Sequence, residues 1–565
     1  MTRRLFLSVA AVLAVVALVA VTSASAAQPS HPDQVFNLPG QSFTPSFNHY
    51  SGYIQLPDSP THLHYWFVES QSDPANDPVV LWLNGGQAAR TQRRGVCLRE
   101  GNEWEDANPT AGAASRRRQG AGAEQRSRRE HTQAAHSITD SHSLDHSASF
   151  ASLAPPTGPG CSSMLGMLTE NGPFRLQPDG VTVDLNEDAW NAYASIIYLE
   201  SPSGVGFSYG TTNNYTSGDD STSLDNYNFL QGFFAEYSEF ATQRFYVTGE
   251  SYAGNYVLEL VQRIIHANAA LAPGAIPINI AGLMVGNPTL NWAASANAYL
   301  PFMSYHGLVA ASDFTKANSI CGGVFSPAPN QACADLVAQL TLQFREINPY
   351  NIEALCEGEG WGTQPGCFTA DALSDAHRPS GLMGPHPTSL SLSSPLSQTF
   401  VPCIALAPIR DYLNSAAVME ALHIAVDQVV LPWDACSQVL NYDQINGNMI
   451  PVYEDILTNS SMRVLVYSGD VDSCVPYLGT EETVYSFPFA QRTPVKDAWQ
   501  SWTYVSRAAP TIKQVGGKFQ QWGERLAYAT VRGAGHMVPH DRPEAAINLF
   551  FSFMNDPTQI RFNKI

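Results

Sequence analysis

An α/β protein with a mostly parallel central sheet is the fold class that the sequence predicts, and three observations support it. Short, continuous apolar runs recur along the chain, as is typical of central strands that are covered on both faces. Stretches with apolar residues at helical spacing alternate with these runs, which favours parallel strands with helices on both faces of the sheet. One serine lies on a turn between such a strand and such a helix.

The size and charge of the chain limit its class. Its 565 residues fit one elaborated α/β domain that carries a large insertion. With 30 basic and 50 acidic side chains the net charge is −20, which disfavours nucleic acid and anionic membranes as partners. Solubility explains most of this charge, and an acidic working compartment is compatible with it.

Residues 1–26 are predicted to be a secretory signal peptide. Two arginines precede an apolar run at residues 5–21, and the small residues up to Ala26 suit cleavage. No later run of about 20 apolar residues occurs, so no membrane anchor is expected in the mature protein. The protein is therefore expected in the secretory pathway, and the sequence leaves open whether it reaches a lysosome, a vacuole or the extracellular space.

Passage through the secretory pathway has two chemical consequences for this chain. Its nine cysteines become candidates for disulfide bonds. Two sequons, at Asn214 and Asn459, become candidate glycosylation sites.

The first part of the core is predicted over residues 34–86 and 159–287. The tyrosine-rich sequence near its start is typical of meandering strands. Buried strands are predicted at 78–83, 194–200, 244–248 and 280–287, with helices at 226–237 and after residue 255. The first of these strands ends in Asn84-Gly85-Gly86, and a glycine pair there either lets the backbone approach a ligand closely or makes a simple tight turn.

The segment from 87 to 158 differs in composition from the sequence on both sides. It contains several arginine clusters and a tail rich in serine, histidine and alanine, but few aliphatic residues and no periodicity. Such a segment cannot bury enough apolar surface to offset its ordering entropy, so it is predicted to be disordered. A basic binding arm is one interpretation, and sequence foreign to the functional protein, such as a retained intron, is another.

The remaining chain is predicted to form a cap and the second part of the core. Residues 288–411 are predicted to be a helical, disulfide-stapled cap insertion because five cysteines cluster there: Cys321, Cys333, Cys356, Cys367 and Cys403. Residues 412–565 are predicted to return to the core, with strands at 462–467 and 526–531.

The turn that carries Ser251 has the sequence of a nucleophile elbow, Gly249-Glu250-Ser251-Tyr252-Ala253-Gly254. Small residues at positions 249 and 253 avoid a clash where strand and helix converge. The turn would expose the Ser251 hydroxyl and aim the Tyr252 N–H, at the start of a helix, towards a reacting carbonyl. By itself the pattern is also compatible with an ordinary structural turn.

Two later strand ends supply the groups that such a serine needs. An aspartate follows the strand at 462–467, and His536 follows the strand at 526–531. Histidine takes the serine proton, and a carboxylate fixes the histidine tautomer and stabilises the imidazolium. The order serine, aspartate, histidine is that of the α/β-hydrolase fold, which is the fold we predict.

Six motifs together resemble the serine carboxypeptidases, the family that includes lysosomal cathepsin A and yeast vacuolar carboxypeptidase. They span nearly the whole mature chain in the order of the family. The motifs are Leu81-Trp82-Leu83-Asn84-Gly85-Gly86, Pro159-Gly160-Cys161-Ser162-Ser163, Glu170-Asn171-Gly172-Pro173, the elbow, Gly469-Asp470-Val471-Asp472 and Gly535-His536-Met537-Val538-Pro539.

The resemblance implies catalytic roles at matching positions. Ser251 would be the nucleophile and His536 the general base and then the general acid. Asp472, rather than Asp470, would be the third member of the triad. The oxyanion hole would consist of the backbone N–H groups of Gly86 and Tyr252.

The resemblance also implies a site for the free α-carboxylate of a peptide or protein substrate. That site would consist of Asn84, Gly85 and Glu250, with Glu170 close by and Trp82 in support. A glutamate that meets a carboxylate must carry a proton, which is easier at low pH. An acidic working range follows, while a solvent-exposed role for Glu170 remains an alternative.

Three disulfides carry over from the family, Cys161–Cys436, Cys321–Cys333 and Cys356–Cys403, and they leave Cys97, Cys367 and Cys474 without an assigned partner. No cofactor or metal ion is expected, and a homodimer is left open. The chain departs from the family at residues 87–158, because in the family Asn-Gly-Gly runs directly into Pro-Gly-Cys-Ser-Ser.

Three functions therefore compete. The first is an acid serine carboxypeptidase that acts through an acyl-enzyme. The second is an acyltransferase on the same fold, which the retained carboxylate-binding residues disfavour. The third is a family member that the insertion at Gly86 has inactivated.

Overall fold

The computed structural model describes residues 31–86, 159–344, 347–356, 405–429, 432–444, 446–556 and 560–563, together with the backbone of 90–92. The predicted signal peptide, the remainder of the 87–158 segment, Cys367 and Cys403 lie outside these residues. None of the described helices is both long enough and apolar enough to cross a membrane.

The described strands, numbered in chain order, alternate with helices over most of the chain. They are β1 His49–Gln55, β2 Thr61–Val68, β3 Val79–Asn84, β4 Arg90–Gln92, β5 Phe174–Leu176, β6 Val183–Leu185, β7 Ser195–Leu199, β8 Tyr209–Gly210, β9 Thr216–Gly218, β10 Phe245–Glu250, β11 Ile280–Gly286, β12 Asn441–Asp443, β13 Arg463–Gly469, β14 Val495–Val505, β15 Lys513–Trp522 and β16 Leu526–Val531.

The described helices follow the same chain order. They are α1 Asp219–Glu236, α2 Ala253–Ala269, α3 Trp292–Tyr305, α4 Ala311–Cys321, α5 Gln331–Thr341, α6 Ala407–Leu413, α7 Ala416–Ala421, α8 Ile450–Asn459, α9 Tyr477–Tyr485, α10 Pro488–Arg492, α11 Val538–Asp541 and α12 Pro543–Met554. A short π-helix also spans Gly166–Glu170.

One large sheet organises the molecule. Its strands lie in the order β1-β2-β7-β3-β10-β11-β13-β16-β15-β14, and β8 pairs with β2. The six strands from β7 to β16 along this path are parallel, while the pairs at both ends of the sheet are antiparallel. The predicted mostly parallel α/β class is confirmed. The carboxyl ends of the parallel strands meet at one edge, where loops can bring side chains together.

Helices cover both faces of this sheet, as predicted. Side chains of β3 alternate between two hydrophobic cores: Val80 and Trp82 pack with α12 on one face, and Leu81 and Leu83 pack with α1 and α2 on the other. Burial on both faces explains why the central strands read as continuous apolar runs in the sequence.

A third, smaller core lies in the predicted cap. Helices α3, α4 and α5 pack around buried side chains that include Phe302 and Leu340. A disulfide joins Cys321 to Cys333, as predicted. The predicted boundary at 411 falls inside α6, and Ile409 and Leu413 of that helix pack in the main core.

Two elements were not anticipated. Residues 90–92, predicted to be disordered, form strand β4, because their backbone pairs with β12 in a three-stranded sheet. The long antiparallel hairpin of β14 and β15 at one end of the large sheet was also missed. Its polar, half-exposed strands lack the apolar runs by which the central strands were predicted.

Candidate active site

Ser251 lies on the turn between β10 and α2, with a φ of +67°. A non-glycine residue in this region is strained and is held there by its surroundings. A Cβ added at Gly249 would lie 2.5 Å from the Leu83 carbonyl oxygen and 2.7 Å from the Ala253 Cβ. The turn therefore requires the small flanking residues that the elbow pattern supplies.

The Asp472 carboxylate holds the imidazole of His536. His536 Nδ1 lies 2.7 Å from Asp472 Oδ2, and both side chains are buried. Asn287 Nδ2 donates to the same oxygen at 2.7 Å, while the Cys474 N–H donates to Asp472 Oδ1 at 2.7 Å. With Nδ1 facing the carboxylate, Nε2 of His536 is left for the reacting groups.

Asp470, two residues earlier, has a different environment. Its Oδ1 accepts a hydrogen bond of 2.6 Å from the Gly533 N–H, and burial raises the pKa of its carboxyl group. This contact links the β13 and β16 loops to each other. The geometry thus distinguishes the two aspartates of the Gly469–Asp472 motif.

Ser251 Oγ and His536 Nε2 are both buried, and neither has a hydrogen-bond partner among the described residues. Hydrogen bonds between a nucleophile and its base are often long in the absence of substrate. The Tyr350 ring stacks on the His536 imidazole at a centroid distance of 4.5 Å, and the Tyr350 carbonyl oxygen accepts a hydrogen bond of 2.6 Å from the backbone N–H of His536. Tyr350, which sequence analysis missed, therefore fixes the plane of the histidine.

The segment that carries Gly86 rests on a disulfide. Cys161 is bonded to Cys436, as predicted, and the Cys161 N–H donates to the Gly85 carbonyl at 2.7 Å. Gly86 has a φ of +84°, and a Cβ there would lie 1.8 Å from Cys161 Sγ, so only glycine fits. A Cβ at Gly85 would lie 2.3 Å from the Tyr252 nitrogen, which places the two predicted oxyanion segments side by side.

Two carboxyl groups, Glu170 and Glu250, lie buried beside the elbow. Burial raises the pKa of both, and the neighbouring Glu170 carboxyl raises that of Glu250 further. For Glu170 the hydrogen bonds of Glu250 and Asn84 oppose the rise. The contact between the two carboxyl groups therefore favours the neutral form of Glu250 more than that of Glu170.

Asn84 is oriented by three contacts. Its Oδ1 accepts from Trp82 Nε1 at 2.7 Å and from the Gly166 N–H at 3.3 Å, so its Nδ2 faces Glu170 Oε1 at 3.0 Å. These contacts fix which end of the amide donates. Since the Nδ2 group has two N–H bonds, one of them is not used by Glu170.

The backbone N–H of Gly85 has a partner within the sheet. Its N–H donates to the Glu250 carbonyl oxygen at 3.0 Å, which continues the pairing of β3 with β10. The predicted contact of this N–H with a substrate carboxylate stays a prediction. The structure therefore brings together Trp82, Asn84, Glu170 and Glu250 from the predicted set, and gives Gly85 a backbone role.

Other cysteines are accounted for only in part. Cys356 is disulfide-bonded, but its predicted partner Cys403 lies outside the described residues, so this pairing stays a prediction. Cys474, for which no partner was assigned, is also disulfide-bonded.

The two candidate glycosylation sites, Asn214 and Asn459, are exposed.

Comparison with known proteins agrees with the motifs. The sequence model of a family described as serine carboxypeptidase matches residues 39–91 and 157–556. The mouse lysosomal protective protein is 31% identical over 534 residues, which cover 93% of this chain and 94% of that protein. A P-(S)-hydroxymandelonitrile lyase from Sorghum bicolor is 31% identical over 530 residues, which cover 92% and 83%.

A similar solved structure is the prohormone-processing carboxypeptidase Kex1(Δp) from Saccharomyces cerevisiae. It aligns with a TM-score of 0.61 and 18% identity, covering 95% of this chain and 100% of that chain. The predicted α/β-hydrolase fold is confirmed. The stretch that the family model leaves unmatched, between residues 91 and 157, lies within the 87–158 segment.

Proposed function

The chain belongs to the serine carboxypeptidase family, and we propose that it releases C-terminal residues from peptides and proteins at acidic pH through Ser251, His536 and Asp472. The observation that carries this proposal is the pair of buried carboxyl groups, Glu170 and Glu250, beside an elbow serine. When it is ionised, such a pair repels an anion. When it is protonated, it can donate hydrogen bonds to one.

Ser251 is the proposed nucleophile. His536 Nε2 takes the proton of the Ser251 hydroxyl as its oxygen attacks the carbonyl of the last peptide bond. The same nitrogen then returns the proton to the departing amine, and the acyl group remains on Ser251. Water, activated in turn by His536, hydrolyses this acyl-enzyme. The 2.7 Å contact with Asp472 stabilises the imidazolium in both steps.

Two backbone N–H groups, of Gly86 and Tyr252, are proposed to stabilise the oxyanion. Their value depends on rigidity, since preorganised donors need no rearrangement in the transition state. Two contacts support this rigidity: the Cys161–Cys436 disulfide against Gly86, and the hydrogen bond of 2.7 Å from the Tyr252 hydroxyl to Asp219.

The α-carboxylate of the substrate is proposed to bind the second N–H of Asn84 and the protonated carboxyl groups of Glu170 and Glu250. A C-terminal amide would lose the charge-assisted hydrogen bonds of this site. We therefore expect amidation of a blocked dipeptide to lower kcat/KM by roughly 10- to 100-fold, the size expected for hydrogen bonds to a charged group. Steady-state rates for matched acid and amide substrates test this.

The KM for a free-acid substrate is expected to depend on pH in one direction. Because the pKa values of Glu170 and Glu250 are raised, their neutral forms persist above the ordinary carboxyl range. As the pH rises through these values the carboxyl groups ionise and repel the substrate, so KM for the free acid is expected to rise. Glu250→Gln keeps an N–H donor but cannot ionise, so its KM should rise less steeply. Equal acid and amide rates at every pH would contradict the proposal.

The 87–158 segment is proposed to be dispensable. If Gly86 were joined to Pro159, the observed bond from the Cys161 N–H to the Gly85 carbonyl would become an i to i+4 turn bond, which is a common closed turn. Gly86 and Gly160, at φ of +84° and +105°, already have turn conformations. The two ends of the proposed join are therefore already held close together by this hydrogen bond.

We expect the deletion variant to have a kcat/KM at least equal to that of the full chain. The deletion also removes β4, a strand of three residues. A displaced Gly86 donor would cost about 10²–10³ in rate, so the comparison is sensitive. A deletion variant that folds, judged by its thermal transition, but is less active than the full chain would make the segment a functional element.

Two further features complete the proposal. The predicted signal peptide supports delivery through the secretory pathway to a lysosome, a vacuole or the extracellular space, and the name of the mouse relative supports the first of these. The retained Asn84, Glu170 and Glu250 cluster favours peptide hydrolysis over acyl transfer, because a transferase has no need to bind a free α-carboxylate in its leaving group.

A further inference from the structure

His540 lies near the proposed carboxylate site but belongs to none of the motifs. It is in the short helix α11, which begins two residues after His536 and packs against the π-helix that ends at Glu170. Its side chain is 46% exposed, whereas Glu170 is buried. A solvent-accessible imidazole thus lies within electrostatic range of a buried carboxyl group of the site.

The position of His540 is set by Asp541. His540 Nδ1 lies 3.1 Å from Asp541 Oδ1. The other oxygen, Asp541 Oδ2, accepts from the Gly535 N–H at 2.7 Å and from Asn351 Nδ2 at 2.9 Å. Gly535 adjoins His536, so the aspartate that holds His540 is anchored to the loop of the proposed catalytic histidine.

The charged groups that shift the pKa of His540 are Asp541 on its own helix, Glu170 on the π-helix and Arg175 in β5. The hydrogen bond with Asp541 raises the pKa of the imidazole above its ordinary value, burial opposes this, and Glu170 adds to the rise. A raised pKa favours the positively charged form of His540 at acidic pH. The Arg175 guanidinium is committed to the carbonyl groups of Thr169 and Glu170, at 3.3 and 3.1 Å.

We propose that His540 is a substrate-binding residue, whose imidazolium attracts the α-carboxylate of the substrate into the site formed by Asn84, Glu170 and Glu250. This inference rests on the proposed function. Bringing an anion to two buried carboxyl groups is unfavourable even when both are protonated, and a nearby cation offsets that cost. His540 provides this charge from a partly exposed position on the helix that packs against the π-helix of Glu170.

The test compares the full chain with His540→Gln and His540→Lys, using a blocked dipeptide as the free acid and as the amide. At pH 5 we expect His540→Gln to raise KM for the free acid roughly fivefold, the size of one partly exposed charge interaction. The kcat for the acid and the kcat/KM for the amide should not change. His540→Lys should restore KM. The difference in KM between His540→Gln and the wild type should become smaller as the pH rises, because wild-type His540 then loses its proton.

His266 provides a matched control. It is an exposed histidine, and its Nε2 lies 3.0 Å from a carboxylate oxygen of Asp455, a residue of α8. Like His540 it therefore has an aspartate partner, but it lies on a different helix. His266→Gln should leave KM unchanged. If His540→Gln retained the full wild-type preference for the acid, the inference alone would be overturned. The same holds if His540→Lys failed to restore KM. A wild-type chain with no preference for the acid would overturn the proposed function and this inference with it.

Discussion

Replacement of Ser251 by alanine is expected to lower kcat for a blocked peptide with a free C-terminus by about 10⁶, the loss seen when the nucleophile of a triad is removed. The reason is that no acyl-enzyme can form without the hydroxyl group. The neighbouring groups remain, so a residual rate above that of water is expected from the oxyanion donors and substrate binding. Active-site titration with a serine-directed phosphonate should show labelling of the wild type and none of the variant.

A matched variant separates chemistry from folding. Ser312 is an exposed serine of α4, remote in sequence from every proposed site residue, and Ser312→Ala should retain full activity. Thermal unfolding of Ser251→Ala should show a stable fold, because alanine removes only the hydroxyl group. Substantial turnover by a purified Ser251→Ala protein would rule out the elbow serine as the nucleophile.

Asp472→Asn is expected to lower kcat by about 10⁴, the effect of the equivalent change in a well-characterised triad. An asparagine at this position presents an N–H to His536 or loses the contact with Nδ1. Either outcome favours the wrong imidazole tautomer and leaves the imidazolium without its counter-charge. The variant should retain its KM more closely than its kcat, because Asp472 contacts His536 and not the substrate.

Asp470→Asn is the matched control for this prediction. Asp470 lies two residues away and bonds the Gly533 N–H rather than the histidine. An amide oxygen can still accept that bond, so we expect a change of less than about tenfold in kcat with some loss of thermal stability. Comparable losses of activity for the two variants would mean that Asp472 has no special role.

Local patterns were sufficient for the central sheet. Strands β3, β10, β11, β13 and β16 were all located from continuous apolar runs, because burial on both faces leaves no polar positions in such strands. The elbow was located for a similar reason, since the steric demand for small residues at 249 and 253 arises within a few residues of the chain. Features with weaker local signals, such as β4 and the β14–β15 hairpin, were missed.

The proposed site was anticipated unevenly. Ser251, an aspartate and His536 could be placed together because each follows a strand, and parallel strands deliver their carboxyl ends to one edge of a sheet. The choice of Asp472 over Asp470 came from the family resemblance. The resemblance also named Glu170, but only the structure gives its neighbours: Asn84 on one side and Glu250 on the other, at sequence separations of 86 and 80 residues. Asn287 and Tyr350, which hold the Asp472–His536 pair, had no distinctive sequence signal.

The sequence by itself therefore determined the fold class, the elbow and the order of the three groups, because these depend on hydrophobic periodicity and on steric limits within one turn. Only the tertiary structure decided which polar groups meet. The assignment of the Gly85 N–H to the Glu250 carbonyl, the shared burial of Glu170 and Glu250, and the approach of His540 to that pair depend on how distant segments pack. Burial and contact with a distant charge are properties of the folded surroundings, and no pattern of neighbours in the chain encodes them.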